Sequence, residues 1–271
     1  MSVQQMYQET IAKIEQVLHD ETMDLSRKYG RITDLLLFSR VDFLRRNLIG
    51  KLGQPVVQSG PFQGMQFHSQ AAEGCYIPKL LGCYEEELHP LIRHISEQKL
   101  YDRIINVGCA EGYYAIGLAR CLPEATVLAF DINPKAQESC KQLAALNQVG
   151  ERVIVGGRVS QQDWPGLIDE RVLIVSDCEG AEYELLDPLQ CPDLLRADFL
   201  IELHGVDSKP ELAEALLNRY RDTHEIQMIG HGGRNPSQYN ELNRQKHLDQ
   251  LLAVWEFRGG PTPWAYLRVK Q

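Results

Sequence analysis

The chain has 271 residues, of which 44% are hydrophobic, and its formal net charge is −9 at pH 7. This length and apolar content are enough for one α/β domain of ordinary size plus an appendage. The acidic balance argues against a long electropositive track for nucleic acid, and no stretch approaches the roughly 18 apolar residues of a membrane span.

The number and spacing of the cysteines indicate the cellular compartment of the protein. The seven cysteines are scattered along the chain and none forms a C-x-x-C pair. Such a pattern is typical of reduced thiols rather than of a disulfide framework or a zinc site. The first residues also lack the basic region and apolar core of a secretory signal. We therefore expect a cytoplasmic protein.

Two amphipathic helices are predicted in the first 52 residues. Apolar residues recur at three- and four-residue steps through about residue 20, and a second such series stops near Gly50. We expect residues 1–52 to form a helical extension that either covers a functional site or pairs with its copy in a homodimer. Arg45 and Arg46 are expected to lie on a solvated face of the second helix, although they could meet an acidic partner.

Residues 53–100 form the next segment. Glycine and proline punctuate short β-type runs in residues 53–69, which predicts a hairpin. A helix is then expected to begin near Leu88 and to end before Tyr101. Three consecutive glutamates, residues 85–87, stand at its start and would complement the helix dipole. The alternative is that one of them, or Tyr84, touches a ligand.

From residue 102 onward, strands and helices alternate regularly, which predicts a doubly wound sheet. The predicted strands are 102–107, 126–131, 152–156, 171–176, 199–203, 225–229 and 264–269, and the main helices are 112–121, 135–147 and 210–220. The fold class is thus α/β, a Rossmann-like, mostly parallel seven-stranded sheet whose last two strands form an antiparallel hairpin. Residues 101–271 are assigned to this domain.

The first strand of this domain ends in a glycine turn. An apolar run, residues 104–107, stops at Gly108, and Gly112 follows at the start of a helix. Gly108 would allow a sharp turn, and Gly112 would let a ligand approach the helix start, where free N–H groups favour an anion. Asp131 ends the neighbouring strand and could accept hydrogen bonds from both hydroxyls of a ribose. The pattern indicates a nucleotide-like cofactor with a carboxylate or phosphate.

Carboxylates also end two later strands. Asp177 and Glu179 directly follow the strand over residues 171–176, and Gly180 then opens a short helix. Glu202 lies inside an apolar run, where a carboxylate is costly unless it is paired or ligated. The two-residue period of a strand places Glu202 and His204 on one face. We therefore expect these four side chains at one sheet edge.

Taken together, these motifs resemble those of a known enzyme class. The stretch over residues 106–114 resembles the first motif of class I S-adenosylmethionine-dependent methyltransferases, and the string over residues 177–182 with residues 202–204 resembles the FkbM-type family of that class. The likeness covers roughly residues 80–205. It implies S-adenosylmethionine as the cofactor, held by Asn106, Gly108, Cys109, Gly112, Asp131, Ile132 and Asp177. Asparagine at position 106 departs from the family, where an aspartate often stands.

The resemblance implies methyl transfer, most simply to a hydroxyl of a small molecule such as a sugar or secondary metabolite. The acceptor must lose a proton, and His204 is the favoured general base, with Glu202 and Glu179 as further catalytic residues. The competing scheme is a divalent cation held by Asp177, Glu202 and His204. Residues 156–164 fall where an adenine ring would rest, while Trp164 is expected to serve packing.

The wall of the acceptor pocket is assigned to a polar insert and to the N-terminal helices. The insert carries His231, Arg234 and Asn235 between the last two strands. Arg234 could hold a carboxylate or phosphate of the substrate, and a solvated loop is the alternative interpretation.

Other functions stay open at this point. An NAD-dependent oxidoreductase is disfavoured because its glycine pattern is G-x-G-x-x-G. A nucleic-acid methyltransferase is disfavoured by the acidic balance and by the lack of an N-P-P-Y-like tetrapeptide after the fourth strand. An N-methyltransferase acting on a peptide, protein or small amine, and a non-catalytic cofactor-binding protein, remain alternatives. The expected partner is a small-molecule substrate, without nucleic acid or membrane.

Overall fold

The structure is a computed structural model that describes residues 2–68, 74–169, 171–260 and 262–270. Its helices and strands follow in chain order. They are α1 (Val3–His19), α2 (Leu25–Leu52), α3 (Tyr76–Leu81), α4 (His89–Gln98), β1 (Arg103–Val107), α5 (Tyr113–Cys121), β2 (Thr126–Phe130), α6 (Pro134–Leu146), β3 (Val153–Gly156), α7 (Trp164–Leu167), β4 (Val172–Ser176), α8 (Glu182–Leu185), β5 (Asp198–Glu202), α9 (Pro210–Asn218), β6 (His224–Ile229), α10 (His247–Ala253) and β7 (Trp264–Val269).

The seven strands form one sheet in the order β3-β2-β1-β4-β5-β7-β6. The first five strands run parallel to one another, whereas β7 is antiparallel to both β5 and β6. A dinucleotide-binding sheet has the order 3-2-1-4-5-6 without an inserted antiparallel strand. The predicted fold class is therefore confirmed, including its closing antiparallel hairpin.

The central strands are apolar because helices cover both faces of the sheet. In β4 all five residues are buried, and in β1 all but the first are buried. Such uninterrupted runs are typical of parallel strands. Trp164 belongs to the core beside this sheet, and its indole N–H donates to the Leu185 carbonyl over 3.0 Å. The structure thus uses Trp164 for packing.

The segment between α2 and α4 differs in part from the prediction. The two β-type runs of residues 53–69 meet through a single antiparallel bridge, Val56 to Gln66, instead of a hairpin. Hydrogen bonds from Val57 N–H to the Met65 carbonyl and from Phe67 N–H to the Pro55 carbonyl flank the bridge, and a turn over residues 61–64 joins the two runs. Residue 69, at the end of this predicted hairpin, lies outside the described residues. The short helix α3 was not predicted.

The chain divides into two compact units, Met1–Gln54 with Asn235–Trp255, and Pro55–Arg234 with Glu256–Gln271. The sequence-based division instead placed residues 235–255 in the 101–271 domain and separated residues 53–100 from it. No helix in the described part of the chain combines the length and the apolar character needed to cross a membrane.

The first unit is held by contacts of α2 with α1 and with α10. Phe43 of α2 stacks on Tyr7 of α1, with ring centroids 6.2 Å apart. The Arg40 guanidinium binds the Asp249 carboxylate of α10 through two hydrogen bonds of 2.7 and 2.6 Å. Arg45 and Arg46 both pair with Asp42 one turn earlier on the same partly exposed helix face.

Candidate functional site

Gly108 sets the turn at the end of β1. Its φ is +76°, and a Cβ built on it would lie 1.7 Å from the Asp177 carbonyl oxygen. Only glycine tolerates both conditions, because other residues strain at positive φ and would collide with the backbone that leaves β4. Gly108 therefore brings the ends of β1 and β4 together.

Gly112 serves packing rather than the ligand approach expected from the sequence. It caps α5 with a φ of +97°. A Cβ there would lie 2.5 Å from Ile116 Cδ1 and 2.8 Å from Cys140 Sγ, which are side chains of α5 and α6. Gly112 also does not line the cavity described below. Its missing side chain thus allows the two helices to pack closely.

Asp131, directly after β2, is tied to the glycine turn. Its Oδ2 accepts a hydrogen bond of 2.9 Å from Ala110 N–H, and its Oδ1 accepts one of 2.8 Å from Asn133 N–H. Each carboxylate oxygen keeps a further lone pair for a ligand. The two backbone contacts fix the carboxylate, so that it is held in position before anything binds.

A cavity of about 800 Å³ opens at the carboxyl ends of β1, β2 and β4. Of the residues that the sequence assigned to a cofactor, Gly108, Asp131, Ile132 and Asp177 line it. Asn106, Cys109 and Gly112 do not, and Asn106 and Cys109 are buried. The loop over residues 157–162 forms another wall, at the place expected for an adenine ring.

Asn106 presents a further feature at this edge of the sheet. Its side-chain N–H donates to the Val175 carbonyl over 3.3 Å. Its Oδ1 is buried and finds no hydrogen-bond donor among the described residues. A buried oxygen without a donor is costly. Since Asn106 does not line the cavity, this acceptor is not available to a ligand there, and the fixed Asp131 carboxylate is the feature that suits the hydroxyls of a nucleoside.

Four ionisable side chains meet beside the cavity, and we call them the carboxylate–histidine centre: Asp177, Glu179, Glu202 and His204. The His204 Nε2 lies 3.5 Å from Asp177 Oδ1, 3.6 Å from Glu179 Oε2 and 3.4 Å from Glu202 Oε2. Asp177 and Glu179 line the cavity, whereas Glu202 and His204 do not. The expected convergence of these side chains at one sheet edge is thus present.

Glu182 of α8 orients His204, a role that sequence reasoning missed. Its buried carboxylate accepts from the His204 Nδ1 over 3.1 Å and from Gly180 N–H over 2.9 Å. Although burial opposes it, the hydrogen bond to Glu182 and the neighbouring carboxylates raise the pKa of His204 above its ordinary value. Burial opposes ionisation of Glu182, but its hydrogen bonds to His204, to a backbone N–H and to Cys178, together with the charge of His204, lower its pKa overall. The D-x-E-G-A-E string contained Glu182, but its spacing did not reveal its partner.

Behind the centre lies a buried ionic network that the sequence did not reveal. The Arg258 guanidinium contacts the carboxylates of Glu85, Glu202 and Glu256. Glu85 also accepts from the Tyr114 hydroxyl. Burial, and then the nearby Glu202 carboxylate, raise the pKa of Glu85 to about 7. Arg258 thus pairs with both Glu85 and Glu202. Glu85 belongs to this buried network and does not complement a helix dipole as expected.

Arg234 is likewise engaged inside the protein. Its guanidinium lies 2.6 Å from Glu87 and 2.7 Å from Glu256, and its side chain is 4% exposed. His231 Nδ1 lies 3.2 Å from the same Glu87. With both carboxylates bound and so little surface, Arg234 is a structural cation. This corrects the expectation that it holds an anionic group of the substrate or lies in a solvated loop.

Comparison with known proteins gives little beyond the fold. No protein-family model matches the chain, and no curated protein matches it. Among solved structures, the O-methyltransferase TomG from Streptomyces achromogenes in complex with SAM is 14% identical, with 68% of this chain and 81% of that chain covered and a TM-score of 0.47. An O-methyltransferase from Bacillus cereus in complex with SAH is 12% identical, covers 86% and 91%, and also has a TM-score of 0.47.

A third similar structure is a putative O-methyltransferase from Klebsiella pneumoniae, which is 13% identical. Here 86% of this chain and 90% of that chain are covered, and the TM-score is 0.48. At such identities and TM-scores, the likenesses carry no conclusion about activity. The function has to be inferred from the residues of this chain.

Proposed function

We propose that the protein is an S-adenosylmethionine-dependent methyltransferase that methylates a hydroxyl of a small molecule. The observation that carries the proposal is the cavity at the sheet edge, where Gly108, the fixed Asp131 carboxylate and Asp177 lie together. Ligands of open α/β sheets bind at this edge. The FkbM-type resemblance of the string over residues 177–182 belongs to the same proposal.

In this proposal, different residues of the cavity bind the ribose of the cofactor and its positively charged end. Asp131 would accept the ribose hydroxyls, with its carboxylate held by Ala110 and Asn133. Asp177 and Glu179 both line the cavity, and the exposed Glu179 carboxylate favours a positively charged donor. When bound, S-adenosylmethionine supplies a methyl group on a positively charged sulfur.

The reaction has a simple balance. The acceptor oxygen would take the methyl group that bound S-adenosylmethionine supplies, the sulfur would keep the electron pair of the broken carbon–sulfur bond, and the acceptor's proton would pass to the carboxylate–histidine centre. Alignment of the acceptor with the methyl group supplies much of the rate. The proton leaves at the carboxylate–histidine centre, which adjoins the cavity through Asp177 and Glu179.

The charge of the centre favours oxygen over nitrogen as the acceptor. Three carboxylates surround His204 Nε2 within 3.6 Å. Nearby carboxylates raise the pKa of an amine and keep it protonated, so that its lone pair is withheld from the methyl group. A hydroxyl stays neutral there and keeps lone pairs for attack. An N-methyltransferase is therefore the weaker alternative.

Binding measurements test the proposal without knowledge of the acceptor. We expect isothermal titration calorimetry to show one site for S-adenosylmethionine and for S-adenosylhomocysteine, and Asp131→Asn to weaken both at least tenfold. Glu124→Gln is a matched control, because Glu124 is an exposed acid that precedes the opposite end of β2. Absence of binding by both compounds would overturn the proposal, and a site for NAD alone would favour an oxidoreductase.

A further inference from the structure

We propose that Lys79 is a positioning residue for the cofactor site, an inference that rests on the proposed function. Lys79 lies on α3, and neither it nor its partner Glu111 lines the cavity. Glu111 belongs to the glycine turn that follows β1. Through Glu111, Lys79 fixes the turn whose Ala110 N–H holds the Asp131 carboxylate.

The contact between Lys79 and Glu111 is a buried ion pair. Lys79 Nζ donates to Glu111 Oε1 over 2.6 Å, and the two side chains are 7% and 0% exposed. The ammonium also lies over the rings of Tyr84 and Tyr113, 4.9 and 5.8 Å from their centroids. In the described part of the chain no other group binds the Glu111 carboxylate, and its Oε2 finds no donor. Loss of Lys79 would therefore leave this carboxylate without an anchor.

The backbone of Ala110 shows what the anchor holds. Its φ is +47°, a left-handed conformation that costs a residue with a Cβ about 1 kcal/mol or more. In this conformation the Ala110 N–H donates to Asp131 Oδ2 over 2.9 Å. Because Glu111 is the next residue, its ion pair fixes the peptide group that follows Ala110. Without that anchor, relaxation of Ala110 to a negative φ would redirect the turn and weaken its hold on Asp131.

The helix α3, which carries Lys79, is itself held in place. The Gln58 N–H donates to the Leu80 carbonyl over 2.9 Å, and the Ser59 hydroxyl donates to the Leu81 carbonyl over 2.7 Å. All six residues of α3 are buried. The helix therefore gives Lys79 a fixed base from which to hold the turn.

The chemistry of a buried ion pair favours positioning over stabilisation. Such a pair loses much of its Coulomb attraction to desolvation, so that apolar residues of similar volume often give equal stability. What the ion pair adds is one defined geometry between α3 and the turn. Since Asp131 would accept the ribose hydroxyls of the cofactor, a shift of the turn should appear as a lower affinity for the cofactor.

The test is calorimetry with S-adenosylhomocysteine on two variants that remove the anchor. Lys79→Met combined with Glu111→Leu leaves no charge buried, and Glu111→Ala leaves the Lys79 ammonium at the two rings. We expect each variant to bind the compound at least about fivefold more weakly, the worth of one misplaced hydrogen bond. The apolar pair should keep the melting temperature nearly unchanged. Asp102→Asn combined with Arg171→Gln is the control and should keep the affinity, because this ion pair lies at the opposite end of β1.

A second measurement separates positioning from a merely structural role. In a chain that carries Asp131→Ala, the turn has no carboxylate to hold, so that removal of the anchor should cost no further affinity. Equal losses with and without Asp131→Ala would overturn the inference, as would unchanged affinity in both anchor variants. Absence of binding by the unmodified chain would instead refute the proposed function, on which the role of Lys79 depends.

Discussion

At the scale of single residues, the two glycines of the β1 turn show how local geometry fixes the site. Gly108 stands against the Asp177 carbonyl, and Gly112 stands between α5 and α6. Both are required by the protein's own packing, and the cavity mouth follows from that packing.

We predict that Gly108→Ala lowers the free energy of unfolding by at least about 2 kcal/mol, because a Cβ would both strain the backbone and collide with Asp177. Urea unfolding monitored by circular dichroism measures the effect. Gly166→Ala is the control, since Gly166 lies in α7 with no atom within 4 Å of its Cβ position. Equal stability of the two variants would contradict this account of the turn.

Burial of His89 is expected to make the stability of the folded chain depend on pH. Burial lowers the pKa of His89 to about 4, with Arg93 acting in the same direction. The unfolded chain, with an ordinary histidine pKa near 6.5, therefore binds a proton first as the pH falls. The stability that His89 contributes is complete above about pH 6.5 and is lost between there and about pH 4, by at most about 1.4 kcal/mol per pH unit.

The measurement is the melting temperature from pH 4 to pH 8 for His89→Gln beside the unmodified chain. The variant should show a shallower loss of stability below pH 6.5. His94→Gln provides the comparison, because His94 lies exposed on the same helix. The interpretation fails if His89→Gln and His94→Gln have the same pH profile.

At the scale of elements, the sequence predicted the sheet well because its signals are local. Apolar runs followed by glycine or aspartate mark β1, β2 and β4, and parallel strands must end at one edge. For that reason Asp177, Glu179, Glu202 and His204 could be brought together from the sequence. Arg258 and Glu85 could not, since they lie outside strands and only the folded chain places them behind Glu202.

Some elements could not be predicted from the sequence because they carry no clear local signal. The six-residue helix α3 is too short for helical periodicity to show, and the predicted hairpin shrank to the Val56–Gln66 bridge. The partner of Arg40 was also hidden, because Asp249 lies 209 positions further along the chain.

The Arg40–Asp249 pair joins α2 to α10 and gives a prediction at this scale. We expect Asp249→Asn to lower the stability of the first unit by about 1 kcal/mol near neutral pH, since one partner is partly exposed. The bond to Arg40 lowers the pKa of Asp249. The stability that Asp249 contributes is therefore present above its pKa in the unfolded chain, and it is lost as the pH falls through its lower pKa in the folded chain.

Thermal melting at neutral and acid pH checks both statements. Asp34→Asn serves as the control, because Asp34 is exposed on the same helix α2. The difference between Asp249→Asn and the unmodified chain should shrink on acidification. A difference that persists unchanged at acid pH would show that Asp249 acts through something other than its charge.

At the scale of the whole molecule, all seven cysteines are free thiols, as their scattered spacing predicted. Four of them are buried: Cys83, Cys109, Cys140 and Cys191. Burial also raises the pKa of the partly exposed Cys75 and Cys178 to about 12. Because the thiolate is the reactive form, the folded chain should be slow to react.

We predict that Ellman's reagent detects seven thiols per chain in denaturant without reductant. The native protein at pH 8 should release less than about one equivalent in the fast phase, since every thiol is buried or has a raised pKa. Fewer than seven thiols in denaturant would reveal a disulfide. Rapid reaction of several thiols in the native state would contradict the burial described here.

The place of β7 between β5 and β6 has a consequence for synthesis of the chain. A ribosome delivers β1 to β5, the five parallel strands, before β6 and β7. Until β7 emerges, β5 presents an open edge that carries Phe199 and Ile201. An apolar edge of this kind invites pairing with another nascent chain. The interval between β5 and β7 is therefore the stage at which aggregation during translation should be greatest.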